Sequence, residues 1–253
     1  MDDNYWKKEK NIMFCTASEN DISELVTFIH ENFLPHEPTN RMIKTVNGNT
    51  WLDKYLRDYL ILTFIKNPIF NFDTTPGCMV ARSTIDNSIL GCRMGEIVTR
   101  GNERDDKIPP VMWIRNLPSC LPIPKKLIDT LNLVQLMRDL RYGKQYAFEE
   151  LVDTNMIYIA LKVCVSPKAR GLGLGSELIR RGYEMAKKAG CGYTYVLASS
   201  LYSQKIFHRL GNCQVLQEAK YEDNKYDKKG RPFLDDAQEH IVLQVLAIRH
   251  LDD

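Results

Sequence analysis

The sequence predicts an α/β (α+β) fold, a mixed central β-sheet flanked by helices, across residues 1–253 as a single domain. Three observations carry this. Short apolar runs of strand length alternate with segments of helical period. The run Met156–Val165 is apolar except for Lys162, as expected of a strand covered on both faces. That run leads through VCVSPKARGLGLG (163–175) into the helix-like stretch Ser176–Ala189.

Taken in order, Asn11–Ala17 reads as a first strand. Ser18 or Asn20 can cap a helix carrying Leu25, Ile29 and Phe33 on one side and ending before Pro35. Thr50–Ile65 has a helical period through Leu52, Tyr55, Leu56, Tyr59, Leu60 and Thr63. Met79–Ile85 and Ile89–Val98 read as two strands joined at Asp86-Asn87, a turn dipeptide. Residues 100–124 hold five prolines and several charges, which suits a surface excursion. Lys125–Gly143 is helical in pattern, so a helical insert at about 100–150 is expected between strands 3 and 4. Beyond the glycine turn, Gly190 closes the Ser176–Ala189 helix, and Lys187 and Lys188 suit its negative end. Tyr193–Ala198 is a buried strand and Ser203–Leu210 a short helix stopped by Gly211. Cys213–Leu216 and Ile241–Ile248 are late strands separated by the charged loop Glu222–Glu239.

Composition narrows the function classes. Hydrophobic content of 44% and charged content of 26% are ordinary globular values. A net charge of +2 argues against nucleic acid as a partner. The seven cysteines are scattered and form no C-x-x-C pair, so neither a disulfide framework nor a metal site is expected. MDDNYWKKEK leads into no apolar run, and Met156–Val165 is too short to span a bilayer. A soluble, cytoplasmic chain with no membrane partner is the expectation.

The glycine turn carries chemistry. The first amides of a helix lack intrahelical partners, and the helix dipole favours negative charge there. Glycines remove the Cβ atoms that would hold a pyrophosphate away from those amides. Arg170 adds positive charge where the loop begins. Gly171, Gly173 and Gly175 are spaced by two, so G-x-G-x-x-G fails at Ser176, and no Lys completes a P-loop. What remains is Arg-x-x-Gly-x-Gly after a strand. A ligand-free turn would share the glycines; the arginine, the strand before and the helix after favour an anion site.

This loop, with the Val-x-Pro turn before it, resembles the acetyl-coenzyme A loop of the GNAT N-acetyltransferases. The element order is also that of a GNAT domain, and the likeness spans residues 12 to about 250. Within that family the chain looks most like the insect-type arylalkylamine N-acetyltransferases. FLPHEPTN (33–40) resembles their Glu-Pro segment after the first helix, ASSLYSQKIFHRLG (198–211) resembles their Ser-Ser-x-Tyr-Ser stretch, and the helical insert is a further match. The resemblance implies acetyl-coenzyme A as co-substrate, held by Val163, Cys164, Val165, Arg170, Gly171, Leu172, Gly173, Leu174, Gly175 and Ser176. It implies no metal, and a small-molecule amine as acceptor.

The chemistry sets requirements for the remaining residues. A primary alkylamine titrates near a lysine, about pKa 10.4, so roughly one molecule in a thousand is nucleophilic at pH 7. The resemblance puts Glu37 in the role of base, acting through water; by itself a glutamate between Pro35 and Pro38 would be an ordinary solvent-facing loop residue. His36 is adjacent and could serve instead; the preferred reading of it is an ordinary loop histidine. Many GNAT enzymes place a tyrosine four residues before the glycine that ends the short helix, and here that residue is Phe207, which has no proton to donate. The resemblance assigns the serines matching Ser199 and Ser203 to proton relay near the thiol, with Tyr202 a possible substitute. Ser203 also suits a helix N-cap, and Ser199 the end of a strand. A backbone amide around Cys164 is expected to serve the oxyanion. Cys164 itself reads as a small buried hydrophobe, since direct transfer needs no acyl-enzyme. Asn212 stands where an aromatic usually follows Leu-Gly, which would loosen local packing.

Three functions are compatible with these residues. One is acetyl-CoA-dependent acetylation of an arylalkylamine of the dopamine, tyramine, octopamine or serotonin class. A second is acylation of a polyamine, amino acid or protein amine, to which Asp53, Asp58, Asp105 and Asp106 could lend an acidic trench. A third, motivated by Phe207, is an acyl-CoA-binding module without catalysis. Tyr55, Tyr59, Phe64 and Trp113 could wall an aryl pocket or fill the core. Oligomeric state is not legible.

Overall fold

The computed structural model describes residues 3–42, 77–102, 125–140, 143–224 and 240–250. Its strands are β1 (Ile12–Thr16), β2 (Cys78–Ser83), β3 (Ile89–Thr99), β4 (Met156–Val165), β5 (Tyr193–Ala198), β6 (Cys213–Lys220) and β7 (Val242–Arg249). They form a mixed sheet in the order β1-β2-β3-β4-β5-β7-β6. The described pairings are antiparallel except β4 with β5, where a helical crossover returns the chain in the same direction. Among the described helices are α1 (Asp3–Glu9), α2 (Ile22–Asn32), α3 (Pro38–Met42), α4 (Lys125–Asp139), α5 (Lys144–Glu150), α6 (Leu174–Lys188) and α7 (Leu201–His208). The expected helix at 50–65, the excursion at 103–124, Asp53, Asp58, Asp105, Asp106 and the four candidate wall aromatics lie outside the described residues.

Side chains alternate across a strand, so each face of the sheet collects its own helices. On one face Cys78, Val80, Cys92, Met94 and Cys164 pack against Leu25, Phe28 and Ile29 of α2. Further along that face, Val98, Ile157 and Ile159 pack against Leu133 and Leu136 of α4 and Ala147 and Phe148 of α5. The opposite face takes α6 and α7, with Ile179, Ala186 and Phe207 against Tyr158, Ala160 and Val196. It also takes α1, whose Trp6 lies in a cluster with Ile12, Ala81, Leu174 and Leu178.

One irregularity in β4 redirects the second half of the strand. Met94 pairs with Lys162 and Gly95 with Ala160, leaving Leu161 as an extra residue. Such a bulge reverses which faces and edges the later residues address. Before it, Met156 accepts from Gly192 N at 2.8 Å, on the β5 side. After it, Ser166 N donates to Leu90 O at 2.9 Å, on the β3 side. The bulge coincides with the end of the β4–β5 ladder, whose last pair is Ala160 with Val196. From Leu161 onward β4 keeps only β3 as a partner among the described strands. The expected double coverage of β4 therefore holds for its first half alone; residues 161–163 are half-exposed.

Several local readings shift. Helix α6 begins at Leu174, so Leu174 and Gly175 are its first turn. The region after Gly143 holds the second helix α5, and the N-terminus, which reads as an uncommitted mix of charges, is α1. It is fastened by Trp6, edge-on to Phe14 at 5.5 Å, and by the ion pair of Asp3 with Arg181 at 2.5 Å. Asn212 has φ 48, so its place after Gly211 is a left-handed backbone position that Asn tolerates, and its side chain is exposed.

Gly95 sits at the bulge because a larger residue has no room there. A Cβ at Gly95 would run into the phenol of Tyr158, whose hydroxyl accepts from the buried Arg93 Nη1 at 3.0 Å. Gly95→Ala is expected to cost about 1–3 kcal/mol of unfolding free energy. At this chain length that lowers the melting temperature by about 2–4 °C per kcal/mol, read by calorimetry.

Candidate active site

The strand–loop–helix unit places the candidate coenzyme residues. Ser166 Oγ accepts from Lys168 N at 3.4 Å and starts a single 3₁₀ turn, Pro167–Ala169, with Pro at a position needing no N–H donor. Gly171 and Gly173 then take φ of 80 and 83, a left-handed conformation that costs an L-residue about 1–2 kcal/mol. A Cβ at either glycine would meet nothing within 4 Å, so the loop faces open space. The first helical bond of α6 runs from Glu177 N to Gly173 O at 3.1 Å, which leaves the amides of Leu174, Gly175 and Ser176 without intrahelical acceptors. Leu174 itself is 1% exposed, so only its backbone can address a ligand, whereas Leu172 is 40% exposed. Buried Glu177 is not left facing the anion site. It accepts from Arg180 and Arg181, which hold its carboxyl below the usual range against the opposing effect of burial.

The splayed half of β4 supplies a second row of donors. Ser166 is hydrogen-bonded to β3, and alternation along an antiparallel ladder turns Cys164 the same way. The amides of Val163 and Val165 therefore face the side where β5 has departed. Of the backbone amides around Cys164, those of Val163 and Val165 are thus the ones turned to the open edge, while that of Cys164 is turned to β3. The Cys164 thiol is 4% exposed, and burial pushes its pKa up to about 12, so it remains a neutral thiol at physiological pH.

Glu37 is fixed by the turn that leaves α2. Its N–H donates to Phe33 O at 2.9 Å, and its carbonyl accepts from Arg41 N at 3.0 Å to open α3. Pro38 fills the first helical position, where a missing N–H costs nothing. The Glu37 carboxylate accepts from the Thr39 hydroxyl and is half-buried rather than solvent-facing. Its charge is felt by Lys162 on β4 and by Tyr221 after β6. Tyr221 donates to Ser199 O at 2.7 Å, so three remote parts of the chain meet around Glu37. Neighbouring His36 is drawn below its usual pKa by partial burial and by the positive charges of Arg170 and Arg41. That brings the end of α2 beside the glycine loop, with basic groups between.

The serine segment differs from expectation in detail. Ser200, not Ser203, is the N-cap of α7: its Oγ accepts from Ser203 N at 3.1 Å. Ser203 Oγ lies 2.9 Å from Ser200 Oγ and donates to Ser200 O at 2.8 Å. Leu201 N donates to Nδ1 of His240, a buried histidine two residues before β7 for which the sequence holds no local signal. Ser199 lies just past β5, with its carbonyl bound by Tyr221. Phe207 is 3% exposed in the core, as its apolar ring requires. Tyr202 is 62% exposed.

The fold and the loop define a class. Residues 140–211 match the acetyltransferase (GNAT) family model, and the mixed seven-stranded sheet with its flanking helices is of the GNAT type. The same fold is found along nearly the whole chain in arylalkylamine N-acetyltransferase 2 from Aedes aegypti, at 20% identity, over 94% of this chain and 99% of that one, with a TM-score of 0.69. It is found in a Drosophila melanogaster polyamine N-acetyltransferase that forms N-acetylagmatine, at 16% identity, 94% and 100% coverage and a TM-score of 0.64. An agmatine N-acetyltransferase gives 15% identity, 95% and 100% coverage and a TM-score of 0.65. Among the described residues no helix is long and apolar enough to cross a membrane, and no group of three or more His, Cys, Asp or Glu is placed to hold a metal ion.

Ser200→Ala is expected to lower stability by about 1 kcal/mol through loss of the α7 cap. Ser203→Ala, which leaves that cap in place, is expected to cost less. Urea unfolding of the two variants separates the capping hydroxyl from its neighbour.

Proposed function

We propose that this chain is an acetyl-CoA-dependent N-acetyltransferase that moves acetyl directly to the primary amine of an arylalkylamine. The observation that carries it is that the half of β4 that has left β5 leads straight into the phosphate-type loop and bears Lys162, on which the charge of Glu37 acts. The amides of the α6 N-terminus and Arg170 suit the pyrophosphate, and the open glycine loop leaves it room. The exposed amides of Val163 and Val165 suit the pantetheine arm and the carbonyl oxygen that gains charge during transfer. Acetyl-CoA supplies the activated thioester.

Glu37 serves as the base. An ammonium acceptor has a proton to lose before its lone pair can attack, and a carboxylate or its bound water takes it. The nitrogen–carbon bond then forms, the carbon–sulfur bond breaks, and the thiolate leaves. Ser199 and Ser203 stand near the end of β5 as hydroxyls for its proton. The Glu-Pro segment and the serine segment favour the arylalkylamine branch. The shared fold with polyamine- and agmatine-acetylating enzymes keeps a second acceptor class in the test.

Thiol release from acetyl-CoA is measured with tryptamine, tyramine, dopamine, spermidine and a lysine peptide. Turnover is expected with the aryl amines. Glu37→Ala is expected to lower kcat/KM by about 10²–10⁴-fold near pH 7, with the deficit shrinking as pH rises toward the amine pKa of about 10.4. Turnover with spermidine or peptide alone assigns the second acceptor class. Thermal stabilisation by acetyl-CoA without turnover of any amine overturns the catalytic reading in favour of a binding module.

A further inference from the structure

β4 carries one charge within its apolar run, Lys162, and the bulge decides where it goes. Without the extra residue at Leu161, Lys162 would alternate onto the face covered by α6. With it, Lys162 shares a face with Ile159 on one side and Cys164 on the other. Those neighbours belong to different clusters: Ile159 packs with α4 and α5, Cys164 with α2. Lys162 therefore stands on the sheet at the seam between the two helical blocks, in front of the strand edge assigned to the thioester. Its ammonium interacts with the Glu37 carboxylate and lies near the Cys92 thiol. Tyr221 faces the same carboxylate, its hydroxyl held by Ser199 O and its pKa raised by burial and by Glu37.

Charge balance at this seam is restrictive. Glu37 is assigned to the reacting nitrogen, and Glu96, on the same face of the sheet as Lys162, is bound to Lys144 at 2.8 Å. An acceptor with one ammonium and an apolar remainder presents its charge to Glu37 and its remainder to the apolar clusters. An acceptor with a second positive charge brings that charge beside Lys162, in surroundings that screen it poorly.

We propose that Lys162 is an acceptor-specificity residue, admitting monoamines with an apolar remainder and disfavouring amines that carry a second cation. The inference rests on the acetyl-transfer reading and names the substrate class of the same site. Lys162 acts on the acceptor by charge and need not exchange a proton with it. Burial lowers the Lys162 pKa to about 8, opposed by Glu37 and Cys92, so the ammonium is charged at neutral pH and loses its charge above that value.

The test compares kcat/KM for agmatine, whose guanidinium stays charged throughout, with that for tyramine. In the wild-type protein the agmatine-to-tyramine ratio is expected to rise between about pH 7 and pH 9, as Lys162 deprotonates. Lys162→Met is expected to raise the ratio about tenfold or more at pH 7, through the KM for agmatine. Lys162→Arg, which keeps its charge, is expected to hold the low ratio across the whole range. A ratio that is flat with pH in the wild type, or unchanged in Lys162→Met, overturns the proposal. The wild-type series requires no variant to fold. Acetylation of both amines with a pH-insensitive ratio removes this inference alone, whereas failure to acetylate either removes the acetyl-transfer reading with it.

Discussion

The structure depends on one surplus residue. Leu161 in β4 is the point at which a regular sheet becomes a site. Up to Ala160 the strand is paired on both edges; past Leu161 it is paired only with β3 among the described strands, and its parity is reversed. The reversal has three consequences together. It turns the amides of Val163 and Val165 to the open edge. It keeps Cys164 within the α2 cluster. It puts Lys162 at the seam of the two helical blocks rather than under α6. Opposite the bulge Gly95 leaves room for the Tyr158 ring, which occupies the space a side chain would need.

The loop after β4 inherits its aim from the same irregularity. Ser166 is the last residue anchored to β3, and the chain then spends two left-handed glycines turning into α6. Charge is partitioned accordingly. On the loop side the positive charges of Arg170 and Arg41 both act on His36, at the end of α2. On the acceptor side one carboxylate, Glu37, faces a partly desolvated ammonium.

Much of this was legible because β4, β5 and the glycine loop state their conformations locally. The apolar runs Met156–Val165 and Tyr193–Ala198 give the strands with their observed bounds. What was not legible is informative in physical terms. A bulge leaves no trace in a run apolar on both faces, because slipping by one residue exchanges one hydrophobic residue for another. Helix α1 is held by a single buried Trp6 and an ion pair to a helix far along the chain, contacts that no local pattern encodes. Ser200 and Ser203 are equally good caps by composition, and the three-dimensional start of α7 chooses between them. Glu37 was legible as a motif, but its relation to Tyr221 and Ser199 was not. Lys162 was visible as the lone charge in an apolar strand, and only the bulge gives that charge a destination.

The absence of a tyrosine at position 207 is less of an obstacle than it first looks. Phe207 lies in the core, and the Cys164 thiol, raised to about 12, is a poor donor. Tyr221 has its hydroxyl bound to Ser199 O and its pKa raised further, which makes it poorer still. Yet the two proton transfers are unequal. An ordinary thiol titrates at about 8.5, close to ambient pH, so its thiolate is already a tolerable leaving group and can collect its proton late from a hydroxyl or from water. The acceptor amine, at about 10.4, is more than three pH units away from being nucleophilic at pH 7. A carboxylate at such a site gains most by being spent on the amine. In the proposed reaction that group is Glu37, which lies between Pro35 and Pro38 and is bound to Thr39, and the hydroxyls of Ser199 and Ser203 are assigned the slower proton return.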